Sequence, residues 1–237
     1  MRDNPYSPPS AQLGGRAVVA AQAGTGNFDV GRCLSEAWAN TWENFPLWLG
    51  AGLVLGVASV ASILTVIGLV LLPALTWGGT QFMLRMHDGG AEFGDIFSGF
   101  SRFGEAFRSM VVLGLAVFAL SILAYAVQFA GTASESTLLT GLGYVVSFAF
   151  NLLVIPRLTF GFLYVVDQRL SGIDALKRCW TDTEACKWKV VVLALLANLI
   201  IVAGVLALLI GVIPGMVIFY LMYVSAYRQI AGKPGAA

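Results

Sequence analysis

Charged residues are scarce in this sequence. They make up 11% of its 237 residues, whereas 58% are hydrophobic, and soluble domains carry roughly 25% charged residues. A soluble fold would have too little polar surface to cover this much apolar material. A lipid environment removes that limit, so the composition predicts an integral membrane protein. The net charge of +1 gives no overall electrostatic support for a nucleic-acid partner.

Histidine and cysteine are also rare. One histidine and three cysteines, with no Cys-x-x-Cys pair, leave almost no material for a Cys/His metal site. No nucleotide loop or catalytic motif is recognisable either, so we predict no catalytic residue, no metal and no cofactor. The three cysteines, Cys33, Cys179 and Cys186, lie in segments predicted to face the cytoplasm. We expect reduced, buried thiols, with reversible palmitoylation as the alternative.

Charge is absent from long stretches of the chain. Between Glu43 and Arg85 lie 41 residues without a charge. One straight helix of that length would reach about 60 Å, roughly twice the thickness of the hydrocarbon core. The stretch is therefore predicted to cross twice, with a turn at Ile67-Gly68 between the spans Phe45–Ile67 and Leu69–Leu84.

Two further hairpins follow the same pattern. The uncharged residues between Lys189 and Arg228 are predicted to turn at Ile210-Gly211. The middle hairpin has predicted spans Met110–Ala130 and Leu138–Val166, joined by a longer loop, Gly131–Thr137, that contains Glu135. The predicted fold is all-α, with six transmembrane helices arranged as three hairpins. The alternative for a short outgoing helix is that it re-enters the membrane without spanning it.

Lysine and arginine are absent from the three predicted outer turns. Thirteen of the fourteen basic residues lie on the other side, and Arg157 alone falls inside a predicted span. Positive residues concentrate in cytoplasmic loops. The pattern therefore predicts a multi-pass protein of the bacterial cytoplasmic (inner) membrane with both termini in the cytoplasm.

The returning helices of the hairpins share a sequence phrase. Pro73–Gly78 reads PALTWG and Pro156–Gly161 reads PRLTFG, and the third hairpin keeps only Ile213-Pro214-Gly215. Because proline frees a backbone carbonyl within a helix, we expect Thr76 and Thr159 to satisfy it. We also expect glycine turns after the three helices, at Gly89-Gly90, Gly172 and Gly232. The phrase indicates three repeat units, at about 28–90, 91–172 and 173–230.

A short amphipathic segment precedes each hairpin. Aromatic and aliphatic residues recur at steps of three and four between Phe93 and Phe107, which predicts one helix with an apolar face. Such helices lie in the membrane interface with the aromatic face towards lipid. The residues predicted to contact the interface in the three segments are Trp38, Trp42, Phe93, Phe97, Phe100, Trp180 and Trp188.

The two ends of the chain differ from the apolar body. Residues 1–27 are rich in Gly, Ala, Gln and Pro, and we predict a disordered cytoplasmic tail. Residues 231–237 are predicted to be a short C-terminal tail. The domain between them, 28–230, is the predicted transmembrane domain.

These features resemble a broad, functionally uncharacterised family of bacterial integral membrane proteins. Related domains form the membrane portion of some glycerophosphodiester phosphodiesterases. The resemblance is carried by the Trp38 and Trp180 segments, by the Gly68…Pro73 and Gly211…Pro214 turns, and by DIFSGFSRFGEAF from Asp95. It covers about residues 28–230 and implies an architecture and an inner-membrane location. No phosphodiesterase catalytic domain is present, so it does not imply hydrolase activity.

Arg157 is the one charged residue inside a predicted span. It lies about ten residues from Asp167, hence about 15 Å into the bilayer if the helix is regular. A charge at that depth is costly and commonly marks function. We predict a site for an anion or lipid headgroup at Arg157, with Asn151, Asn198 and Gln128 as candidate partners. The alternatives are an arginine that snorkels along a bent helix to the interface and a helix that starts later than predicted.

Three functions are compatible with this sequence. The favoured hypothesis is a non-enzymatic membrane protein that acts by association, as a scaffold, regulator or membrane-organising factor. The first alternative is a transporter or channel for a small or anionic solute with Arg157 in its pathway, and the second is a membrane-embedded lipid-modifying enzyme. The expected partners are membrane lipids, including anionic headgroups, and a protein partner or homo-oligomer remains open.

Overall fold

The computed structural model describes residues 27–63, 66–134, 136–206 and 211–232. Within these ranges the chain forms helices and no strand, which confirms the all-α prediction. The predicted tail 1–27 lies outside the described residues except for Asn27, as does the C-terminal tail beyond Gly232. The elements are α1 (Val30–Glu43), α2 (Phe45–Ile63), α3 (Val66–Asp88), a 3₁₀ segment (Phe93–Phe97), α4 (Ser98–Ser101), α5 (Phe103–Ala133), α6 (Thr137–Leu153), α7 (Ile155–Gln168), α8 (Gly172–Glu184), α9 (Lys187–Leu206) and α10 (Val212–Ala231).

Within the described ranges, four stretches of helix are long and apolar enough to cross a membrane. They are Phe45–Ser62, Phe103–Ile122, Thr137–Gln168 and Lys187–Leu206. Large apolar side chains on these helices face outward, and Phe129, Leu138 and Leu206 are 76%, 82% and 80% exposed. Soluble proteins rarely expose apolar surface on this scale. The chain therefore has the features of a membrane protein.

Three helices, α3, α7 and α10, pack against one another at the centre of the bundle. Their facing side chains are large aromatic residues, among them Trp77, Phe160, Tyr164, Tyr223 and Tyr227, all almost fully buried. The rings of Phe160 and Tyr223 lie 5.6 Å apart, and those of Tyr164 and Tyr227 lie 4.9 Å apart edge to face. Such pairs add to the stabilisation from area burial. The apolar helices α2, α5 and α9 pack around this centre.

The short amphipathic segments also pack against the central helices. The 3₁₀ segment and α4 lie on α3, α8 lies on α7, and α1 lies on α10. The last contact joins the two ends of the described chain, because the Asp29 amide donates to Gln229 Oε1 at 2.9 Å. These segments are therefore part of the bundle as well as having an exposed aromatic face.

The turn predicted at Ile67-Gly68 is wrong. Both residues lie inside α3, which begins at Val66, whereas α2 ends at Ile63. Gly68 serves close packing, since a Cβ atom there would collide with the backbone of Ser62 on α2. Gly211 does stand at the start of α10, whereas Ile210 lies outside the described residues.

The middle hairpin also differs from its prediction. Helix α5 runs to Ala133, beyond the predicted end at Ala130, so the loop is shorter than expected, and Glu135 lies outside the described residues. The predicted span Leu138–Val166 lies within the membrane-length stretch Thr137–Gln168, but the helix is interrupted at Val154 and α7 has Pro156 in its first turn. A proline has no N–H to donate, so it is accommodated at a helix start.

The threonines expected to assist the prolines act elsewhere. Thr76 donates to the carbonyl of Leu72 at 2.9 Å, and Thr159 to that of Ile155 at 3.1 Å. These are the carbonyls four residues before each threonine. The carbonyls freed by Pro73 and Pro156 are those four residues before each proline, so the expectation is wrong.

The single amphipathic helix predicted from Phe93 to Phe107 is wrong as well. The segment is a 3₁₀ turn followed by the four-residue α4, and Arg102 leaves the helical conformation before α5 begins. The expected glycine turn after α7 is also incorrect. The left-handed residue there is Arg169, at φ 55°, and Gly172 opens α8. Gly89 and Gly232 do have positive φ angles, 82° and 76°.

We predict that Gly78 is required for the contact between α3 and the 3₁₀ segment. A Cβ atom on Gly78 would collide with the backbone carbonyl of Ile96, whereas one on Gly114 would meet nothing within 4 Å. Gly78→Ala should lower the free energy of unfolding by about 1–3 kcal/mol. Gly114→Ala should be neutral or stabilising, because alanine favours helix. Thermal unfolding in detergent compares the two, and equal stability of the variants would contradict the packing.

Candidate functional site

Arg157 lies in the first turn of α7, and its side chain is 9% exposed. Its Nη1 donates to Glu184 Oε2 at 3.0 Å, and its guanidinium lies 4.7 Å from the centre of the Trp180 ring. Both partners belong to α8, which runs alongside α7. The charge is therefore held by an ion pair and a cation–π contact, and these come from a segment outside the predicted spans.

The residues expected to surround Arg157 form other contacts. Asn151 donates to Tyr125 Oη at 3.2 Å and to the carbonyl of Ser147, and Gln128 accepts from Ser147 Oγ. Asn198 donates to the carbonyl of Ala194 on its own helix. The structure does not bring Asn151, Gln128 or Asn198 to Arg157. Their hydrogen bonds are with other residues, and a ligand site at Arg157 that includes them stays a prediction.

A second charged group connects the C-terminal ends of the three central helices. Arg228 on α10 has a side chain only 8% exposed, and it reaches Asp88 on α3 and Asp167 on α7, both at 2.8 Å. Tyr227 donates to the same Asp167 oxygen at 2.6 Å. One guanidinium therefore joins α3, α7 and α10. Such two-sided pairing satisfies the charge that burial would otherwise destabilise.

Glu36 on α1 meets His87 at the same end of the bundle. Glu36 Oε2 lies 3.3 Å from His87 Nε2 and accepts from Ser225 Oγ at 2.6 Å. Its other oxygen accepts from Arg32 Nε at 2.7 Å. His87 Nδ1 lies 3.5 Å from Asp88 Oδ1, which is long for a hydrogen bond. Three carboxylates and a histidine from α1, α3 and α7 thus lie at the end of the bundle that also contains Arg228.

The surroundings shift the pKa values of this pair in opposite directions. Burial alone would raise the pKa of Glu36, but hydrogen bonds from His87, Ser225 and Arg32 hold it at about 2. Burial alone would lower the pKa of His87, but its contacts with Asp88 and Glu36 raise it above its ordinary value. The pair is therefore most stable with Glu36 ionised and His87 protonated.

The predicted interface residues are exposed on the amphipathic segments. Trp38 and Trp42 are 55% and 47% exposed on α1, and Trp180 on α8 also faces outward. Trp188 lies in the first turn of α9, outside α8. The remaining members of the set are likewise exposed: Phe93, Phe97 and Phe100. Their placement in a membrane interface stays a prediction.

The three cysteines are buried and free of disulfides. Burial raises the pKa of Cys33 to about 11 and that of Cys179 to about 12. Thiols react as thiolates, so these groups are poor nucleophiles. Among the described residues, no cluster of three or more His, Cys, Asp or Glu could hold a metal ion.

The charged group around Arg228 was not predicted, although the sequence contains a weak signal for it. His87-Asp88, Asp167 and Arg228 each occur close to a predicted cytoplasmic helix end. Residues at equivalent ends of neighbouring helices meet in a bundle, but their pairing depends on helix rotation. Separations of 61 and 140 residues between Arg228 and its partners give no local pattern to read.

Comparison with protein-family models, with curated proteins and with solved structures found no match. The resemblance drawn from the Trp38 and Trp180 segments therefore stays a prediction.

The Glu36–His87 pair predicts a pH dependence of stability. The raised pKa of His87 means that its stabilising contribution is complete below about 6.5 and is lost as pH rises through the folded pKa. The lowered pKa of Glu36 means that its contribution is present above about 4.3 and is lost as pH falls towards about 2. Thermal stability should therefore decline as pH rises above about 6.5, through the raised pKa of His87.

His87→Gln tests this assignment. The variant should lose the decline at alkaline pH, because glutamine does not titrate there, and each tenfold difference in proton affinity between the folded and unfolded chain corresponds to about 1.4 kcal/mol. Melting curves of the purified protein in detergent provide the measurement. An unchanged pH profile in the variant would contradict the assignment of the titration to His87.

Proposed function

We propose that this chain is a non-enzymatic integral protein of the bacterial inner membrane, which acts by association as a scaffold, regulator or membrane-organising factor. In this proposal it crosses the membrane six times, with both termini in the cytoplasm. The charged ends of α3, α7 and α10 then lie on the cytoplasmic side, where thirteen of the fourteen basic residues are expected.

The packing of the amphipathic segments supports an arrangement of three units. Each segment lies on the returning helix of the preceding unit: the 3₁₀ segment and α4 on α3, and α8 on α7. The first segment, α1, lies on the returning helix of the last unit, α10. A repeated unit that contacts its neighbour in one direction forms either an open array or a closed ring. The contact of α1 with α10 favours the ring.

The observation that carries the functional proposal is the aromatic and ionic centre of the bundle, in which each buried charge is paired. Trp77, Phe160 and Tyr223 are almost fully buried, and the pocket of about 400 Å³ beside them has no charged residue among the described residues that line it. Arg228 joins the ends of the three central helices by two ion pairs. A transport pathway needs polar groups that face a cavity at the membrane midplane. Arg157 instead pairs with Glu184 and Trp180 of α8. This packing supports a protein that acts by association rather than a transporter.

One observation favours the enzyme alternative. Glu36, Asp88 and Asp167 gather with His87 at one end of the bundle, and grouped carboxylates and a histidine are the material of acid–base catalysis. Each carboxylate, however, accepts hydrogen bonds from neighbouring side chains. This pairing suits a structural role, so the enzyme remains the second candidate.

The proposal is tested in native membranes and in reconstituted vesicles. Association predicts that chemical cross-linking in native membranes yields one discrete species, either with a fixed partner or with a second copy. It also predicts that proteoliposomes pass small anions no faster than empty liposomes. Arg157→Gln should leave both results unchanged, as should the matched control Arg178→Gln, which removes an exposed ion pair on α8.

Two outcomes would replace the proposal. Anion flux that Arg157→Gln abolishes and Arg178→Gln preserves would identify a transporter. Conversion of membrane lipid by the purified protein, lost in His87→Gln while the protein stays folded, would identify an enzyme. Absence of any discrete cross-linked species would also contradict the scaffold proposal.

A further inference from the structure

A polar pocket of about 340 Å³ opens between α3, the α4 segment and the C-terminal end of α7. Four arginines line it, one from each neighbouring element: Arg85 on α3, Arg102 after α4, Arg169 after α7, and Arg228 on α10. Asp167 is the single acid in the lining. The pocket is distinct from the Arg157 site, which pairs with α8.

The arginines of this pocket offer more donors than their neighbours use. Arg169 forms no ion pair within the described ranges, and Arg102 lies 3.7 Å from Glu105, too far for a hydrogen bond. Arg85 contacts Asp95 through Nη1 while its side chain stays 49% exposed. Each guanidinium carries five N–H donors, so several remain available to an acceptor in the pocket.

Buried polar atoms without partners belong to the same lining. Among the described residues, four buried side-chain atoms lack a hydrogen-bond partner, and three of them belong to Trp77, Ser98 and Arg228. All three residues line the pocket, and the Trp77 side chain is 1% exposed. An unsatisfied buried donor costs free energy. Three such atoms in the lining of one basic pocket are available to the acceptor oxygens of a ligand.

Arg169 adds a conformational observation. It is the one non-glycine residue of the described chain with a positive φ angle, 55°. The left-handed conformation is unfavourable for a residue with a Cβ atom. Here it ends α7 and leaves the Arg169 side chain at the rim of the pocket. Loss of this conformation would move one of the four guanidinium groups.

We propose that this pocket binds a phosphate group through Arg102, Arg169 and Arg228. Phosphate oxygens act mainly as hydrogen-bond acceptors at neutral pH, and arginine matches their geometry. The exposed rings of Phe97 and Phe100 flank Ser98, at the level where aromatic residues meet lipid headgroups. That depth rests on the proposed function, and it favours the phosphate of an anionic lipid over free phosphate.

The test compares a lipid-borne phosphate with inorganic phosphate on the full-length protein. Nanodiscs of phosphatidylglycerol in phosphatidylcholine provide the first probe, read as lipid retained by native mass spectrometry. Inorganic phosphate, titrated into detergent-solubilised protein and read by thermal shift, provides the second. The test variant is Arg102→Gln/Arg169→Gln, and the matched control is Arg108→Gln, an exposed arginine on α5 outside the pocket.

The expected result is selective retention of phosphatidylglycerol, weakened about tenfold or more in the double variant and unchanged in the control. Binding of inorganic phosphate with the same variant pattern would support the site with a free phosphate as its ligand. Equal affinity of the double variant and the control for both probes would overturn the site. If the double variant melts well below wild type, Ser98→Ala replaces it as the test variant. This substitution removes the Ser98 hydroxyl donor from the pocket lining and changes the size of the side chain very little.

A topology measurement keeps this test separate from the proposed function. Single cysteines placed at Ser134 and at Arg178 report opposite sides of the membrane, and the native cysteines are buried. Labelling of 134 alone from the periplasm supports the proposed topology. Labelling of 178 alone would contradict the proposed function, while the binding results would still decide the pocket.

Discussion

The contact on which the rest of the bundle depends is the pairing of Arg228 with Asp88 and Asp167. One guanidinium, 8% exposed, joins three helices that come from distant parts of the chain. Removing Arg228 is costly because the Asp167 carboxylate, which is also 8% exposed, would lose its counter-charge while remaining buried. The pairing therefore fixes the relative positions of the C-terminal ends of α3, α7 and α10. The segments that pack on these helices are positioned with them.

Contacts at the same end of the bundle also hold the first helix, α1, against the last helix, α10. The neighbour of Arg228, Gln229, contacts Cys33 and accepts from the Asp29 amide, and Ser225 donates to Glu36. Helix α10 therefore holds α1 with one face and Asp88 and Asp167 with another.

Much of the fold was predictable because its signals are local. Long uncharged runs indicate apolar helices, and the positions of the charges indicate where those helices end. The structure agrees with this prediction in its helical character and in its membrane-length helices. The breaks at Val154 and Arg102 were missed, because Pro156 suits a helix start as well as a kink and because the phenylalanine spacing fits two short helices as well as one. The partners of Arg157 were missed because Glu184 lies 27 residues away, on a segment expected to lie flat on the membrane. Side-chain pairing across helices depends on rotation, which spacing alone does not determine.

The most direct measurement of this account is the free energy of unfolding of Arg228→Met in detergent, beside Arg108→Met as the control. The account predicts a loss of about 3–5 kcal/mol for Arg228→Met and a change within about 0.5 kcal/mol for the exposed control. Neutralising both acids in the triple variant Arg228→Met/Asp88→Asn/Asp167→Asn should restore part of that loss. A cost below about 1 kcal/mol for Arg228→Met, equal to that of an exposed pair, would contradict the central role of this contact.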